Sequence, residues 1–229
     1  MNHVPNPLGP LQHSEAFDLA FRLARQPVAP KACLVLLHGV GGSETNLADL
    51  ASGVPADTLV VLPRGPLEFA PGQFGWFRVA FTGNGPRIDA DEAEASRLAL
   101  IRFVAQLQAA YGVVPGKTVI AGFSQGGILS ASVALSAPEQ VAGFAILSGR
   151  ILPELEPHLA DKSRLQKLRA FIGHGEYDSK LPVQWAQRAG QWLQALEVPH
   201  QTRLYPIDHG ISSAMQADFV QWVNGVLQG

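Results

Sequence analysis

The sequence predicts an α/β fold with a mostly parallel central sheet and helices on both faces. Three observations lead there. Short apolar runs alternate along the chain with longer helical ones, the pattern of strand–helix–strand units. Several of the short runs are apolar without interruption, as strands covered on both faces are. The chain has 229 residues, 47% of them hydrophobic, enough to build a sizeable core in a single domain spanning 1–229.

The elements follow in order. Residues 1–14, rich in Pro and Asn near the start, read as an irregular N-terminal segment. Phe17 to Leu23 alternates apolar and polar, as a half-exposed edge strand does. Ala32 to Leu37 is a buried strand, and Thr58 to Leu62, Thr118 to Ala121, Val141 to Leu147 and Leu168 to Ile172 repeat its pattern. Arg203 to Ile207 is the expected last strand. Asp91 to Tyr111 sets Leu98, Ile101, Phe103, Val104 and Leu107 at helical spacing behind an acidic first turn. Gly126 to Ala137, Val183 to Leu196 and Ser212 to Leu227 are the other expected helices. Pro63 to Arg87 reads as a long irregular loop, a feature that in compact domains is usually functional or disordered.

Composition excludes several classes. With 17 Lys+Arg against 19 Asp+Glu, the formal net charge is −2, which offers no footprint for nucleic acid. No apolar run approaches the length of a membrane span, and the N-terminus lacks the charged and apolar regions of a signal peptide. A cytoplasmic protein without integral membrane association is expected. Cys33, the lone cysteine, lies in an apolar run and reads as a small buried hydrophobe. No ligand cluster has metal spacing, so neither a metal nor another cofactor is expected.

Gly122-Phe123-Ser124-Gln125-Gly126 is a Gly-x-Ser-x-Gly pentapeptide. Such a match also arises by chance, so its setting decides. An apolar strand ends at it and a helical run begins after it. That is the strand–turn–helix context in which a tight turn lifts a serine hydroxyl above a sheet. A serine hydroxyl needs a base. Ligands of parallel sheets bind beyond the carboxyl ends of the strands, so the base should follow a strand. Of the seven histidines, His209 stands after the last strand and before the C-terminal helix. His38 and His174 also follow strands but sit in glycine-flanked turns, where they read as loop braces. The orienting carboxylate should follow the preceding strand, which selects Asp178, with Glu176 as competitor. Asp208, next to the histidine, points away from it and reads as structural. The order Ser124, Asp178, His209 is that of the α/β-hydrolase arrangement.

Charge developing on a substrate oxygen needs preorganised donors. The backbone N–H of Gln125 is one. The other should come from the loop His38-Gly39-Val40-Gly41-Gly42-Ser43, with Val40 chosen and Gly41 the alternative.

At this point the chain resembles the phospholipase/carboxylesterase group of α/β-hydrolases, which also contains the acyl-protein thioesterases. The stretches that carry the resemblance are Leu36-Leu37-His38-Gly39, Pro63-Arg64-Gly65 leading to Gly75-Trp76-Phe77, Gly122 to Gly127, Leu147-Ser148-Gly149, Gly173-His174-Gly175 with Asp178 and Pro182, and Asp208-His209-Gly210. The resemblance implies catalytic roles for Ser124, Asp178 and His209, oxyanion donors at Val40 and Gln125, and esters of short or medium acyl chains as substrates. Two departures stand out. Gly41-Gly42-Ser43-Glu44-Thr45-Asn46 replaces the Gly-Asp-Thr-Gly of the thioesterase branch, which places the chain nearer the bacterial esterases. Arg150 stands where the family often has an aromatic residue, a change that bears on the pocket.

Phe69, Phe74, Trp76, Phe77 and Phe81 crowd the 63–87 stretch, either pinning it to the core or lining a pocket. Trp76 and Phe77, with Ile151 and Leu152 opposite, are the expected substrate-binding residues. The expected function is a serine carboxylesterase acting on a small-molecule ester, as a monomer or homodimer. The alternatives are a thioesterase or lysophospholipase, and a non-catalytic binding protein of the same fold.

Overall fold

The computed structural model describes residues 8–82 and 85–229, and side chains outside positions 81–86. The strands are β1 (Phe21–Arg25), β2 (Ala32–Leu37), β3 (Thr58–Pro63), β4 (Leu67–Ala70), β5 (Gln73–Gly75), β6 (Val79–Thr82), β7 (Gly85–Ile88), β8 (Thr118–Phe123), β9 (Gly143–Leu147), β10 (Arg169–Gly175) and β11 (His200–Tyr205). The helices are α1 (Ala90–Tyr111), α2 (Gln125–Ser136), the short α3 (Lys162–Leu165), α4 (Gln184–Ala195) and α5 (Ser213–Gln228).

Seven strands form one sheet in the order β1-β3-β2-β8-β9-β10-β11. Only β1 runs antiparallel, against β3; the others pair in parallel. Alternate residues of each strand enter two separate apolar layers. Cys33, Val35, Leu37, Ile120 and Ile146 join α1, α2 and α4 on one face. Leu34, Leu36, Val119, Ala121 and Leu147 join α5 on the other. Both faces are therefore covered, which is why every residue of β2 is buried.

The first strand begins later than expected, at Phe21 rather than Phe17. Residues 8–14 run beside it. Gly9 N–H donates to the Leu23 carbonyl, and Gln12 forms a bridge with Phe21. The last strand also begins earlier than expected, at His200.

The 63–87 stretch, expected to be irregular, folds into two hairpins, β4–β5 and β6–β7. Neither joins the main sheet. Phe74 closes the first onto the loop after β2: its N–H donates to Gly42, and its carbonyl accepts from Gly41 N–H. Phe69 is half exposed, while Trp76 and Phe77 are fully buried. The side chain of Phe81 lies outside the described residues.

The strand order positions the site. The chain leaves β2 toward β3 on one side and returns to β8 on the other. This is the topological switch point, where the loops beyond two adjacent strands diverge and leave a crevice. The loop after β2 is His38-Gly39-Val40, and the turn after β8 is Ser124.

Candidate active site

Ser124 has φ 53° and ψ −116°, a backbone state that side-chain-bearing residues rarely hold. Packing enforces it. A Cβ at Gly126 would lie 2.1 Å from the Leu37 carbonyl oxygen, and one at Gly122 would lie 2.3 Å from the Gly126 carbonyl carbon. Only glycines let α2 close onto β2 and β8 so tightly. Ser124 N–H donates to the Leu147 carbonyl at 2.8 Å, tying the turn to β9.

Three side chains from three strand ends converge. His209 Nε2 lies 3.0 Å from Ser124 Oγ. His209 Nδ1 lies 2.7 Å from Asp178 Oδ2. A carboxylate only accepts, so Nδ1 carries the proton and Nε2 is left to accept from the serine. The Asp178 side chain is fully buried. Its other oxygen accepts from Lys180 N–H at 2.9 Å and Leu181 N–H at 2.7 Å. Glu176 is exposed, and no hydrogen bond joins its side chain to His209 among the described residues. Asp208 clamps the histidine loop instead, accepting from His209 N–H and from Ser179 N–H and Oγ–H. Ser148, another left-handed residue at φ 50°, donates its hydroxyl to the Gly210 carbonyl.

The loop after β2 is braced by His38. Gly65 N–H donates to its Nε2 at 2.9 Å, so that nitrogen is unprotonated and Nδ1–H donates to the Gly39 carbonyl at 2.7 Å. Burial lowers the His38 pKa and holds the ring neutral. Gly41 N–H is taken by Phe74 and Gly42 N–H by Gly39. The N–H groups of Val40 and Gln125 make no backbone hydrogen bond among the described residues. Gln125 opens α2, where helix geometry leaves its N–H without an intrahelical partner.

The expected pocket residues are all buried. Trp76 Nε1 donates to the His38 carbonyl at 2.9 Å. Trp76, Phe77, Ile151 and Leu152 all belong to the buried core layer of α1 and α2.

Two contacts were not foreseen. The Gln125 side chain accepts from Trp76 N–H through Oε1 and donates to the Phe77 carbonyl through Nε2, joining α2 to the hairpin stretch. Glu44, 2% exposed in its side chain, receives Arg22 and Arg64 at 2.8 Å and so anchors the loop after β2 to the sheet edge. His174, also buried, places Nε2 2.8 Å from the Leu181 carbonyl and 3.4 Å from Asp178 Oδ2. Among the described residues no cluster of three or more His, Cys, Asp or Glu is placed to hold a metal ion. Nor is any helix among them long and apolar enough to cross a membrane.

The profile of the family described as Phospholipase/Carboxylesterase matches residues 21–226, nearly the whole chain. The chain belongs to this family. Acyl-protein thioesterase 1 of Kluyveromyces lactis is 28% identical over 188 residues, covering 76% of this chain and 82% of that protein. The same-named protein of Saccharomyces cerevisiae is 26% identical over 189 residues, covering 76% and 82%. Among solved structures, a carboxylesterase from Mesorhizobium loti superposes with a TM-score of 0.79 at 25% identity, covering 94% of this chain and 98% of its own. The family member described here is thus an α/β-hydrolase of carboxylesterase/thioesterase type.

Proposed function

We propose that this chain is a serine carboxylesterase, with residues 1–229 serving as one catalytic domain. One observation carries the proposal: the unbroken hydrogen-bonded series Asp178–His209–Ser124. Ser124 Oγ attacks the ester carbonyl while His209 Nε2 takes its proton. The N–H groups of Val40 and Gln125 receive the developing oxyanion. His209 then protonates the leaving alcohol, which departs and leaves an acyl group on Ser124. Water, deprotonated by the same nitrogen, attacks the acyl carbon and frees the acid. Asp178 keeps the imidazole in the tautomer that accepts at Nε2 and offsets the charge it acquires. Trp76, Phe77, Ile151 and Leu152 act from behind as the packed wall of the acyl site. Support for oxyester chemistry comes from the Mesorhizobium loti carboxylesterase, which matches nearly end to end.

A second reading, thioester hydrolysis, is favoured by the names of the curated relatives. Matched butyryl and palmitoyl oxyesters and thioesters separate the two. The carboxylesterase reading expects the butyryl oxyester to be the better substrate by kcat/KM. Ser124→Ala is expected to abolish hydrolysis of p-nitrophenyl butyrate and labelling by a fluorophosphonate. A wild-type protein that neither labels nor turns over any ester overturns the proposal.

A further inference from the structure

Two arginines are buried to the same degree, and they are treated differently. Arg97 and Arg150 are each 8% exposed. Arg97 is fully engaged: its guanidinium donates twice to Glu94 and once to Ser136. Arg150 makes no hydrogen bond and no ion pair within 4.0 Å among the described residues. A buried charge left unpaired is costly, and proteins ordinarily pair or discharge it. A guanidinium does not discharge at physiological pH. Burial lowers the Arg150 pKa, and the exposed carboxylate of Glu154 partly offsets that.

What holds Arg150 is an aromatic face. Its Cζ lies 4.6 Å from the Trp185 ring centroid, and Arg188 adds a second guanidinium 5.0 Å from the same ring. A guanidinium held over a ring by its charge keeps N–H donors that the ring does not use. Among the described residues the Arg150 nitrogens have no hydrogen-bond partner, yet none of them is wholly sealed from solvent. An open guanidinium edge fits the two oxygens of a carboxylate or phosphate.

The location ties this to the reaction. Arg150 follows β9, which lies between the strand that leads into Ser124 and the strand that precedes Asp178. Ser148 is bonded to the His209 loop through Gly210. Gly149 packs against the nucleophile's turn so closely that a Cβ there would lie 2.9 Å from the Ser124 carbonyl oxygen. Arg150 is the next residue.

We infer that Arg150 is the anion-recognition group of the substrate site, so that the preferred esters carry a carboxylate or phosphate away from the scissile bond. This rests on Ser124 being the nucleophile. Trp185 holds the guanidinium against its ring, and Arg188 raises the local positive potential. The chemistry itself is unchanged: the anion is bound and positioned while the ester bond is cleaved at Ser124.

The test compares kcat/KM for charged esters with that for uncharged analogues of the same length. The acyl-side pair is mono-p-nitrophenyl glutarate and p-nitrophenyl pentanoate. The alcohol-side pairs are the pentanoyl ester of 3-hydroxybenzoate against phenyl pentanoate, and pentanoyl glycerol phosphate against pentanoyl glycerol. These arms tell where the anion sits and whether it is carboxylate or phosphate. At least one charged member is expected to exceed its neutral analogue by about tenfold or more, the size of one charge-assisted hydrogen-bonded contact. In Arg150→Met that ratio falls toward one, mainly through KM, and Arg150→Lys restores part of it. Glutarate added to the wild type inhibits p-nitrophenyl pentanoate hydrolysis competitively, a measurement that needs no variant. Fluorophosphonate labelling of Arg150→Met reports whether its site is assembled. If wild type prefers the neutral member of every pair and glutarate does not inhibit, the inference is overturned and the esterase reading stands. A preference that survives Arg150→Met unchanged also overturns it. If wild type labels with no fluorophosphonate and cleaves no ester of either kind, the esterase reading fails and this inference with it.

Discussion

Asp178 shows how much one side chain can be asked to do. Its Oδ1 fixes the loop through Lys180 and Leu181 N–H, while Oδ2 fixes the His209 ring. Asp178→Asn keeps the shape but presents an amide that can donate toward Nδ1 and so selects the wrong imidazole tautomer. In the serine-protease template this change lowers kcat by about 10⁴-fold. A loss of about 10³-fold or more is expected here, measured on p-nitrophenyl butyrate, with urea stability changing far less than activity. Activity within tenfold of wild type would remove Asp178 from the mechanism. The placements of Ser124, Asp178 and His209 at strand ends were legible because each follows from where parallel strands stop. The roles of Glu44 and Gln125 side chains were not. Glu44 meets Arg22 and Arg64 across about 20 residues of chain, and Gln125 meets Trp76 across about 50, so no local pattern marks either partner. The loop sequence also gives no sign that the Phe74 carbonyl occupies Gly41 N–H, a contact made across more than 30 residues.

At the scale of elements, β8, Ser124 and α2 form a strand–turn–helix unit whose tightness depends on missing side chains. Gly126→Ala would drive a methyl to 2.1 Å from the Leu37 carbonyl oxygen, a backbone atom that cannot swing away. A destabilisation of about 3 kcal/mol or more, at the upper end for overpacking, is expected from urea denaturation. Gly116→Ala is the control. Nothing lies within 4 Å of its Cβ position, so its midpoint should stay close to wild type. Equal midpoints for the two variants would show that the turn has slack to give. The central strands were legible because burial on both faces makes them continuously apolar, as in β2 and β3. The hairpins of 63–87 were not legible for the opposite reason. β4 has no buried residue and no clean alternation, and its partner β5 has three residues. Their order comes from distant contacts: Phe74 with Gly41 and Gly42, and Gln125 with Trp76 and Phe77. The start of β1 slipped for a related reason, since Phe17 packs on Phe21 and Phe103 as a partly buried aromatic against the core without pairing in the sheet.

Across the whole molecule, the groups that brace the site share one response to acid. Burial lowers the pKa of His38 and of His174, so both are neutral in the fold. Burial pushes Glu44 up, but the hydrogen bonds from Arg64 and Arg22 outweigh it and bring it down to about 2. In each case the unfolded chain takes up the proton first. A group that binds fewer protons when folded loses its stabilising contribution as pH falls. The histidine contributions are present above the ordinary imidazole value of 6.5 and are lost below it. The Glu44 contribution is present above 4.5 and is lost as pH falls toward about 2. Unfolding free energy from urea titrations should therefore decline in two stages, the first setting in below about pH 6.5 and the second, steeper one below about pH 4.5. Glu44→Gln should lower stability at neutral pH and flatten the second stage while leaving the first in place. It removes the charge that Arg22 and Arg64 share, and it cannot be protonated in turn. A stability curve that stays level from pH 7 to 4 would mean that these buried groups are relaxed enough to accept protons in the folded state. Because His38 holds the Gly39 carbonyl beside Val40, activity should fall in step with the first stage if that bracing also sets the oxyanion loop.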